Sequence, residues 1–335
     1  MRRLCILLLI FTVVAGCAKK TETTTPPPSS SAKPKSLTKV SFQTDWHAQA
    51  EHGGFYQALV KGYYKDVGLD VEIRQGGPNT QVPQRVGLGQ ADLGMLTSDG
   101  VILYAARGLP LVMVAAFMQS DPQAIMVHEE SGITDFRQLD GKSIMAVPGS
   151  TWIDYLQKRF NIAFKIIPSN FGLAQFLADP DFVQQCFITN EPYYVSQKGA
   201  HPRALLISNS GWRPYRGIFS SPEFVKKNPE VVRAFVAASL RGWDDYIKGD
   251  PTPAYTRIHE LNPDQMTTEF MSYSRNALIE NKLILGDPAR GDKLGKIDLN
   301  RIAEQIKTLV DLKIMDKAMP TESVATVQFL PADLK

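Results

Sequence analysis

Cysteine is nearly absent from this 335-residue sequence, which has Cys5, Cys17 and Cys186 only. We expect Cys5 to leave with an N-terminal leader and Cys17 to carry a lipid. Cys186 would then stand alone, and one cysteine forms neither an internal disulfide nor a cysteine-based zinc site. Histidine is also scarce, and His47 and His52 lack the spacing of metal ligands. We therefore predict no bound metal and no other cofactor.

A strong net charge is lacking as well. The formal charge of +3 falls to +1 when Arg2 and Arg3 are removed with the leader. Such a balance gives no field that would attract the phosphates of nucleic acid, so we expect no nucleic-acid partner.

The sequence contains one N-terminal apolar run, over residues 4–14, which is too short to cross a bilayer as a helix. It follows the basic start Met1-Arg2-Arg3 and ends in Val14-Ala15-Gly16-Cys17, a pattern typical of a lipoprotein signal peptide over residues 1–16. Residues 17–37 then combine the lipidated Cys17 with a tether rich in Pro, Ser and Thr, which we expect to be disordered. The lipid would anchor the protein to the extracytoplasmic side of a membrane.

Strand-like and helix-like segments alternate through the remaining chain. A strand over 39–43, a helix over 53–67 and a strand over 69–73 begin the series. The pattern restarts near residue 124, and the chain after residue 229 is mainly helical. This alternation predicts an α/β fold with mixed, mostly parallel sheets.

Several longer stretches occur in a recognisable order after the lipoprotein signal: "GFYQALVKGYYKDVGLDVEI", "VGLGQADLGM", "RGLPLVMVAAF", "DFRQLDGKSIMAVPGS" and "SPEFVKKNPEVVRAFVAA". Together they resemble the substrate-binding lipoproteins of ABC importers, in the branch shared by sulfonate, nitrate and thiamin-pyrimidine-precursor binders. The resemblance implies a type II periplasmic-binding fold, in which two lobes joined by two crossover strands close on a ligand. We place lobe 1 at 38–123 plus 214–335 and lobe 2 at 124–213.

Polar and aromatic residues follow the predicted strands, where the carboxyl ends of an open α/β sheet bind ligands. Several also have a plain structural alternative. Trp46 and Tyr56 would suit the core, Asp45 a helix cap, His52 a helix end, and the loop 149–151 the N-cap of the next helix. We expect ligand contacts from these residues: Asp45, Trp46, His52, Tyr56, Gly77, Thr97, Ser98, Met118, Gly149, Ser150, Thr151, Asn190, Glu191 and Tyr193.

The stretch "CFITNEPYYV" gives the best indication of the ligand. Asn190 and Glu191 lie between an apolar strand and a helix. A carboxylate there can accept hydrogen bonds from a pyrimidine or a similar ring, and it would repel a sulfonate or nitrate. Glu191 could instead be a first-turn helix residue favoured by the dipole. Tyr193 or Tyr194 could stack on the ring beside Trp46.

Part of the same fold family is enzymatic. The resemblance implies that the pyrimidine synthases of this fold need a lysine, a nearby histidine and a cysteine-rich loop. This chain has Leu96 and Gly100 at the first two positions and "WRPYRGIFS" in place of the loop. We therefore expect no enzyme.

The expected function is ligand capture for an ABC importer by a monomer that works with permease and ATPase subunits. Thiamin-pyrimidine precursors, such as hydroxymethyl- or formylamino-pyrimidines, are the first ligand choice. Riboflavin is the second choice, and an aliphatic sulfonate, taurine or nitrate is the third.

Overall fold

The computed structural model describes residues 36–335. The predicted signal peptide, the lipidation site Cys17 and nearly all of the tether lie outside the described residues. Within the described part, no helix is both long and apolar enough to cross a membrane.

Ten strands make up two five-stranded sheets. In chain order, the strands β1 to β10 are Thr38–Gln43, Leu69–Arg74, Leu93–Thr97, Val112–Met118, Gln123–His128, Ser143–Ala146, Lys165–Pro168, Val183–Phe187, Pro202–Leu206 and Arg216–Ser220.

Twelve α-helices are present among residues 36–335. In chain order, α1 to α12 are Gly53–Val60, Tyr63–Asp66, Val82–Gly87, Ser98–Ala106, Thr151–Phe160, Ala174–Ala178, Glu191–Ser196, Pro222–Lys227, Pro229–Lys248, Thr252–Leu261, Thr268–Glu280 and Leu299–Asp311.

The first sheet has the strand order β2-β1-β3-β10-β4. β1 is parallel to β2 and β3, and β10 is antiparallel to β3 and β4. The carboxyl ends of β1 to β4 therefore share one edge of the sheet. β10 begins at that same edge, where Arg216 is paired with Thr97 and Met118.

The second sheet has the order β7-β6-β8-β5-β9, and like the first it combines parallel and antiparallel strand pairs. β6 is parallel to β7 and β8, while β5 is antiparallel to β8 and β9. β5 thus begins at the edge where β8 and β9 end. The chain crosses between the sheets through 119–122 and 207–215, and both crossovers enter the next sheet at its carboxyl edge. This two-sheet α/β architecture confirms the predicted fold class.

The predicted helix over 53–67 is in fact two helices, α1 and α2. Gly62 has φ of 76°, a left-handed conformation that ends α1 and starts a new helical turn. The sequence Asn228-Pro229-Glu230 predicts a helix start with Asn228 as N-cap, and this is confirmed because α9 begins at Pro229. The side-chain amide of Asn228 donates to the Phe224 carbonyl at 3.3 Å and makes no cap hydrogen bond to the helix.

The start of α1 is packed directly against the long helix α9. A Cβ at Gly53 would lie 2.1 Å from Cζ of Tyr246, and a Cβ at Gly54 would lie 2.7 Å from the Cα of Trp243. Only glycine allows this approach, because real Cβ atoms do not come so close to other heavy atoms. The packing fixes the position of His52, one residue earlier, at the edge of the first sheet.

Candidate functional site

A cavity of about 430 Å³ lies between the carboxyl edges of the two sheets. That volume is within the range typical of small-molecule sites. Its walls come from both sheets, from the first crossover and from the loop before α11. The lining residues are Asp45, Trp46, Gln49, Glu51, His52, Pro122, Met145, Ser169, Phe171, Leu173, Gln184, Gln185, Phe187, Asn190, Glu191, Tyr194, Arg216, Asp264 and Gln265.

Aromatic faces meet across this cavity. Trp46 follows β1 of the first sheet, and Phe171 follows β7 of the second. Their ring centroids are 5.4 Å apart with planes inclined by 44°. Phe171 is 56% exposed, and its φ of 58° is a left-handed conformation that is unusual for an aromatic residue. An exposed apolar ring on a strained loop is typical of a surface that contacts a ligand.

Arg216 holds together the polar floor of the cavity. Its guanidinium donates to Asp45 and, at 2.5 Å, to Asp121 on the first crossover. His52 Nε2 lies 3.2 Å from the other carboxylate oxygen of Asp45. Burial raises the pKa of Asp45, but the charges of Arg216 and His52 and their hydrogen bonds outweigh it. The pKa of Asp45 is therefore well below its usual range, and the residue is ionised.

Glu51 forms a polar bridge between the two halves of the cleft. One carboxylate oxygen accepts from the hydroxyl of Thr189, which follows β8 of the second sheet. The other oxygen, Oε2, finds no partner within residues 36–335. Glu51 is only 4% exposed, and burial raises its pKa. A buried carboxyl oxygen without a partner in a cavity wall is costly unless a ligand supplies the hydrogen bond.

Glu191 stands at the first position of α7, where its Oε2 accepts from the backbone N–H of Phe187 at 2.7 Å. Burial and the nearby charge of Glu51 raise the pKa of Glu191 to about 7, although the N–H groups of Phe187 and of its own backbone oppose the shift. Glu191 and its neighbour Asn190 both line the cavity, as does Tyr194 of the same helix.

Carboxyl groups dominate the charge of the cavity. Four of its lining residues are acidic, namely Asp45, Glu51, Glu191 and Asp264, whereas Arg216 is its one guanidinium. Arg216 is itself neutralised by Asp45 and Asp121. An anionic ligand would find no unpaired guanidinium or ammonium group among these lining residues, and a ligand that donates hydrogen bonds would find carboxyl acceptors.

A second, smaller cavity of about 220 Å³ adjoins the first and shares Phe187 and Arg216 with it. Four of the residues predicted from the sequence line this second cavity and not the first: Thr97, Gly149, Ser150 and Thr151. The structure therefore divides the predicted contact residues between two adjoining spaces. Asp45, Trp46, His52, Asn190 and Glu191 surround the larger one.

Two predicted residues lie in the hydrophobic core and line neither cavity. Tyr56 is 1% exposed because its side of α1 packs inward. Met118 is fully buried because β4 is covered on both faces. For Tyr56, the structure thus shows the core alternative.

Three more predicted residues also line neither cavity. Ser98 is buried and donates to Gln305 at 2.7 Å. Gly77 lies beside the His47 ring, away from the cavity wall. Tyr193 packs against Phe270 and Tyr273 of α11, because the helical turn of α7 directs Tyr194 toward the cavity instead.

Among the lining residues that the sequence did not predict, Glu51, Phe171 and Arg216 contribute most to the geometry described above. Glu51 precedes His52 directly and could have been considered with it. Phe171 lies in the loop between β7 and α6, which begins at Ala174. Arg216 is the first residue of β10, and it meets its two carboxylate partners only in the folded chain.

No group of three or more metal-ligating side chains occurs in the described part of the chain. The single described cysteine, Cys186, is buried. Burial raises the pKa of its thiol well above the usual value.

A family model described as "NMT1/THI5 like" matches residues 49–254. Among curated proteins, the 4-amino-5-hydroxymethyl-2-methylpyrimidine phosphate synthase THI11 of Saccharomyces cerevisiae is 27% identical over 247 residues. That alignment covers 68% of this chain and 72% of the yeast protein.

Solved structures with the same fold include periplasmic binding proteins. The aliphatic sulphonate binding protein SsuA of Escherichia coli has a TM-score of 0.62 and 13% identity, covering 85% of this chain and 96% of that one. The nitrate-binding protein NrtA of Synechocystis PCC 6803 has a TM-score of 0.62 and 14% identity, covering 89% and 91%. At these identities the similarity establishes the fold.

The expectation that this chain is not an enzyme is contradicted by its curated relatives, which are named as synthases at 25–27% identity. The reasoning from Leu96 and Gly100 considered one catalytic arrangement only. The absence of a particular lysine and histidine argues against that arrangement, and it does not exclude other chemistry in a cleft rich in titratable groups.

Proposed function

The chain belongs to the NMT1/THI5-like family, and on that premise we propose that its cleft captures a small, planar, unphosphorylated nitrogen heterocycle of the thiamin-pyrimidine class. The observation that carries the proposal is the pairing of aromatic walls with carboxyl groups in one cavity between two sheets. Flat apolar faces suit a planar ring, and carboxyl oxygens accept from ring and amino N–H groups.

The charge of the cleft supports this ligand class over the anionic ones. A sulfonate or nitrate would be held by donors, and a phosphate ester carries still more negative charge. The cavity instead presents Glu51 and Glu191, and its guanidinium, on Arg216, is already paired with two carboxylates. The yeast relative is named for a phosphorylated pyrimidine. We expect this chain to bind the form without the phosphate.

The proposed biological role is that of an extracytoplasmic binding component of an ABC importer. The fold, the N-terminal lipoprotein pattern and the cleft are consistent with this role. In the proposal, residues 38–123 plus 214–335 form one lobe and residues 124–213 form the other. Ligand bridges both lobes, and the closed form docks on a permease that acts with an ATPase, while the lipid on Cys17 keeps the protein at the membrane.

Titration calorimetry on the purified protein tests the proposal. We expect 4-amino-5-hydroxymethyl-2-methylpyrimidine to bind, and taurine and nitrate to give no heat of binding. Riboflavin is the second candidate ligand, because a cavity of about 430 Å³ extended by the adjoining space leaves room for a larger ring system. Taurine binding with no binding of either heterocycle would refute the proposal.

Two variants test whether the heterocycle binds in the first cavity. Glu191→Gln should weaken heterocycle binding by about 1–3 kcal/mol, the usual effect of spoiling a buried hydrogen bond. Glu269→Gln, an exposed first-turn residue of α11, is the matched control and should leave the dissociation constant unchanged. The curated relatives are named as synthases, so a reaction of the bound compound is tested as well. Mass spectrometry of the ligand recovered after binding shows whether its mass has changed.

A further inference from the structure

The second cavity is lined largely by side chains that can form hydrogen bonds. It lies at the carboxyl edges of both sheets, between the end of β3, the loop before α5 and the second crossover. Trp152, Phe187 and Trp212 line it together with seven side chains that carry hydroxyl, amide or carboxyl groups: Thr97, Asp99, Asp121, Gln123, Ser150, Thr151 and Ser208. Because it opens onto Phe187 and Arg216 of the first cavity, a substituent on a ring held there could reach it.

Hydrogen-bond donors face this space from the start of α5. The first N–H groups of a helix have no partner within the helix. Ser150 occupies the N-cap position but makes no side-chain cap, because its hydroxyl donates to the Val147 carbonyl at 2.8 Å. Gly149 allows the tight turn with a φ of 79°.

A further donor without a partner belongs to the second crossover. Trp212 lines the cavity and is 3% exposed, and its indole N–H makes no hydrogen bond with any residue of 36–335. A buried donor of this kind is rare in a folded protein unless a ligand or water completes it.

Acceptors line the same cavity. Asp99 and Asp121 both line the cavity and are 5% and 6% exposed. Asp121 is paired with Arg216 at 2.5 Å. Burial raises the pKa of Asp99, and the nearby charge of Asp121 adds to the shift, against hydrogen bonds from Thr97, Thr151 and the Gly100 N–H.

This combination of groups excludes charged occupants of either sign. An anion would approach two buried aspartates, and a cation would approach a helix N-terminus and a guanidinium. A hydroxyl group can pair with both the donors and the acceptors of the cavity, because it donates one hydrogen bond and accepts two.

We propose that the second cavity is a subsite for an uncharged, hydroxylated substituent carried by the heterocycle whose ring lies in the first cavity. The inference rests on the proposed function, since the ring must be bound in the first cavity for its substituent to enter the second. It adds that the natural ligand carries at least one hydroxyl group and no charge on that substituent.

Pairs of probes that share a ring test the subsite by titration of the full protein. The first pair is 4-amino-5-hydroxymethyl-2-methylpyrimidine and 4-amino-2,5-dimethylpyrimidine, and the second is riboflavin and lumiflavin. Within the pair whose ring is accepted, the hydroxylated member should bind about tenfold or more tightly. Flavin mononucleotide, which adds a phosphate to the riboflavin tail, should bind about tenfold or more weakly than riboflavin.

Two variants at Ser208, a partly exposed residue of the wall of the second cavity, test whether the preference for the hydroxylated probe arises in that cavity. Ser208→Leu fills the space and should remove the advantage of the hydroxylated probe while leaving the affinity for the unsubstituted ring unchanged. Ser208→Ala should reduce the advantage by several-fold. If the two members of each pair bind equally, or flavin mononucleotide binds as tightly as riboflavin, the subsite is refuted and the first cavity keeps its proposed role. If no probe of either pair binds, the proposed function itself fails.

Discussion

Replacing Glu191 by glutamine should stabilise the ligand-free protein at neutral and alkaline pH. The pKa of Glu191 is raised from 4.5 to about 7, chiefly by burial. A carboxyl with a raised pKa holds its proton more tightly in the native state than in the unfolded chain. Its contribution to stability therefore falls as the pH rises from about 4.5 through about 7. Glutamine is never ionised and avoids that loss.

The size of the effect follows from the shift. Each pKa unit corresponds to about 1.4 kcal/mol, so a shift from 4.5 to about 7 sets a ceiling of roughly 3 kcal/mol above pH 8. Partial exposure of the side chain reduces this, and we expect a gain of about 1–3 kcal/mol in the free energy of unfolding. For a protein of this size the gain corresponds to an increase in Tm of roughly 2–5 °C.

Thermal unfolding of the two proteins between pH 4.5 and 8.5, without ligand, measures the difference. The Tm of Glu191→Gln should match that of the wild type near pH 4.5 and exceed it increasingly up to pH 8. Glu269→Gln controls for the removal of a charge from a first helical turn, and it should lower the Tm slightly because an exposed acidic group there is favourable. A difference that is constant with pH, or a less stable Glu191→Gln protein at pH 8, would refute the reasoning.

Three further predictions concern stability and binding. Arg216→Met leaves two carboxylates without their partner and should destabilise the protein by about 3–5 kcal/mol at pH 7 in urea unfolding. The loss should be smaller near pH 3, because the unpaired carboxylates of the variant can then be protonated. The exposed ion pair of Lys227 makes Lys227→Met the control, with little effect expected. Gly54→Ala would place a methyl group against the backbone of α9 and should cost about 1–3 kcal/mol or more, read from the same urea curves. Phe171→Ala should weaken heterocycle binding about tenfold in titrations and leave the Tm of the free protein nearly unchanged, because the ring is 56% exposed.

The fold was accessible from the sequence because its elements have local signatures. Alternating apolar residues mark β2, and a continuous apolar run marks β4. Boundaries were less accurate where the chain conformation depends on one residue, as at Gly62, which divides the predicted helix over 53–67. The position of Arg216 at the carboxyl edge of the first sheet depends on the antiparallel pairing of β10 with β3, two strands far apart in the sequence. A local sequence pattern does not predict such a pairing.

The site was predicted in part for the same reason. Trp46 and Glu191 follow strands directly, so the rule that ligands bind at the carboxyl ends of strands was enough to select them. Tyr56 satisfied the helical spacing from His52, but spacing alone does not say whether a helix face meets a cavity or the core. Arg216 was missed because its role comes from Asp45 and Asp121, which are 171 and 95 positions away in the chain.

Residues of the cavity already link the two sheets without a ligand. Glu51 accepts from Thr189, and Trp46 packs on Phe171, so each contact joins one half of the cleft to the other. A ligand that enters between the rings must replace the Trp46–Phe171 contact with two contacts of its own. A donor on the ligand can also complete Glu51 Oε2, the oxygen that Thr189 does not satisfy. In the proposed function, a bound ring would therefore replace the Trp46–Phe171 contact and leave the Glu51–Thr189 hydrogen bond in place, so binding between the halves would be most favourable for a guest that is both flat and a hydrogen-bond donor.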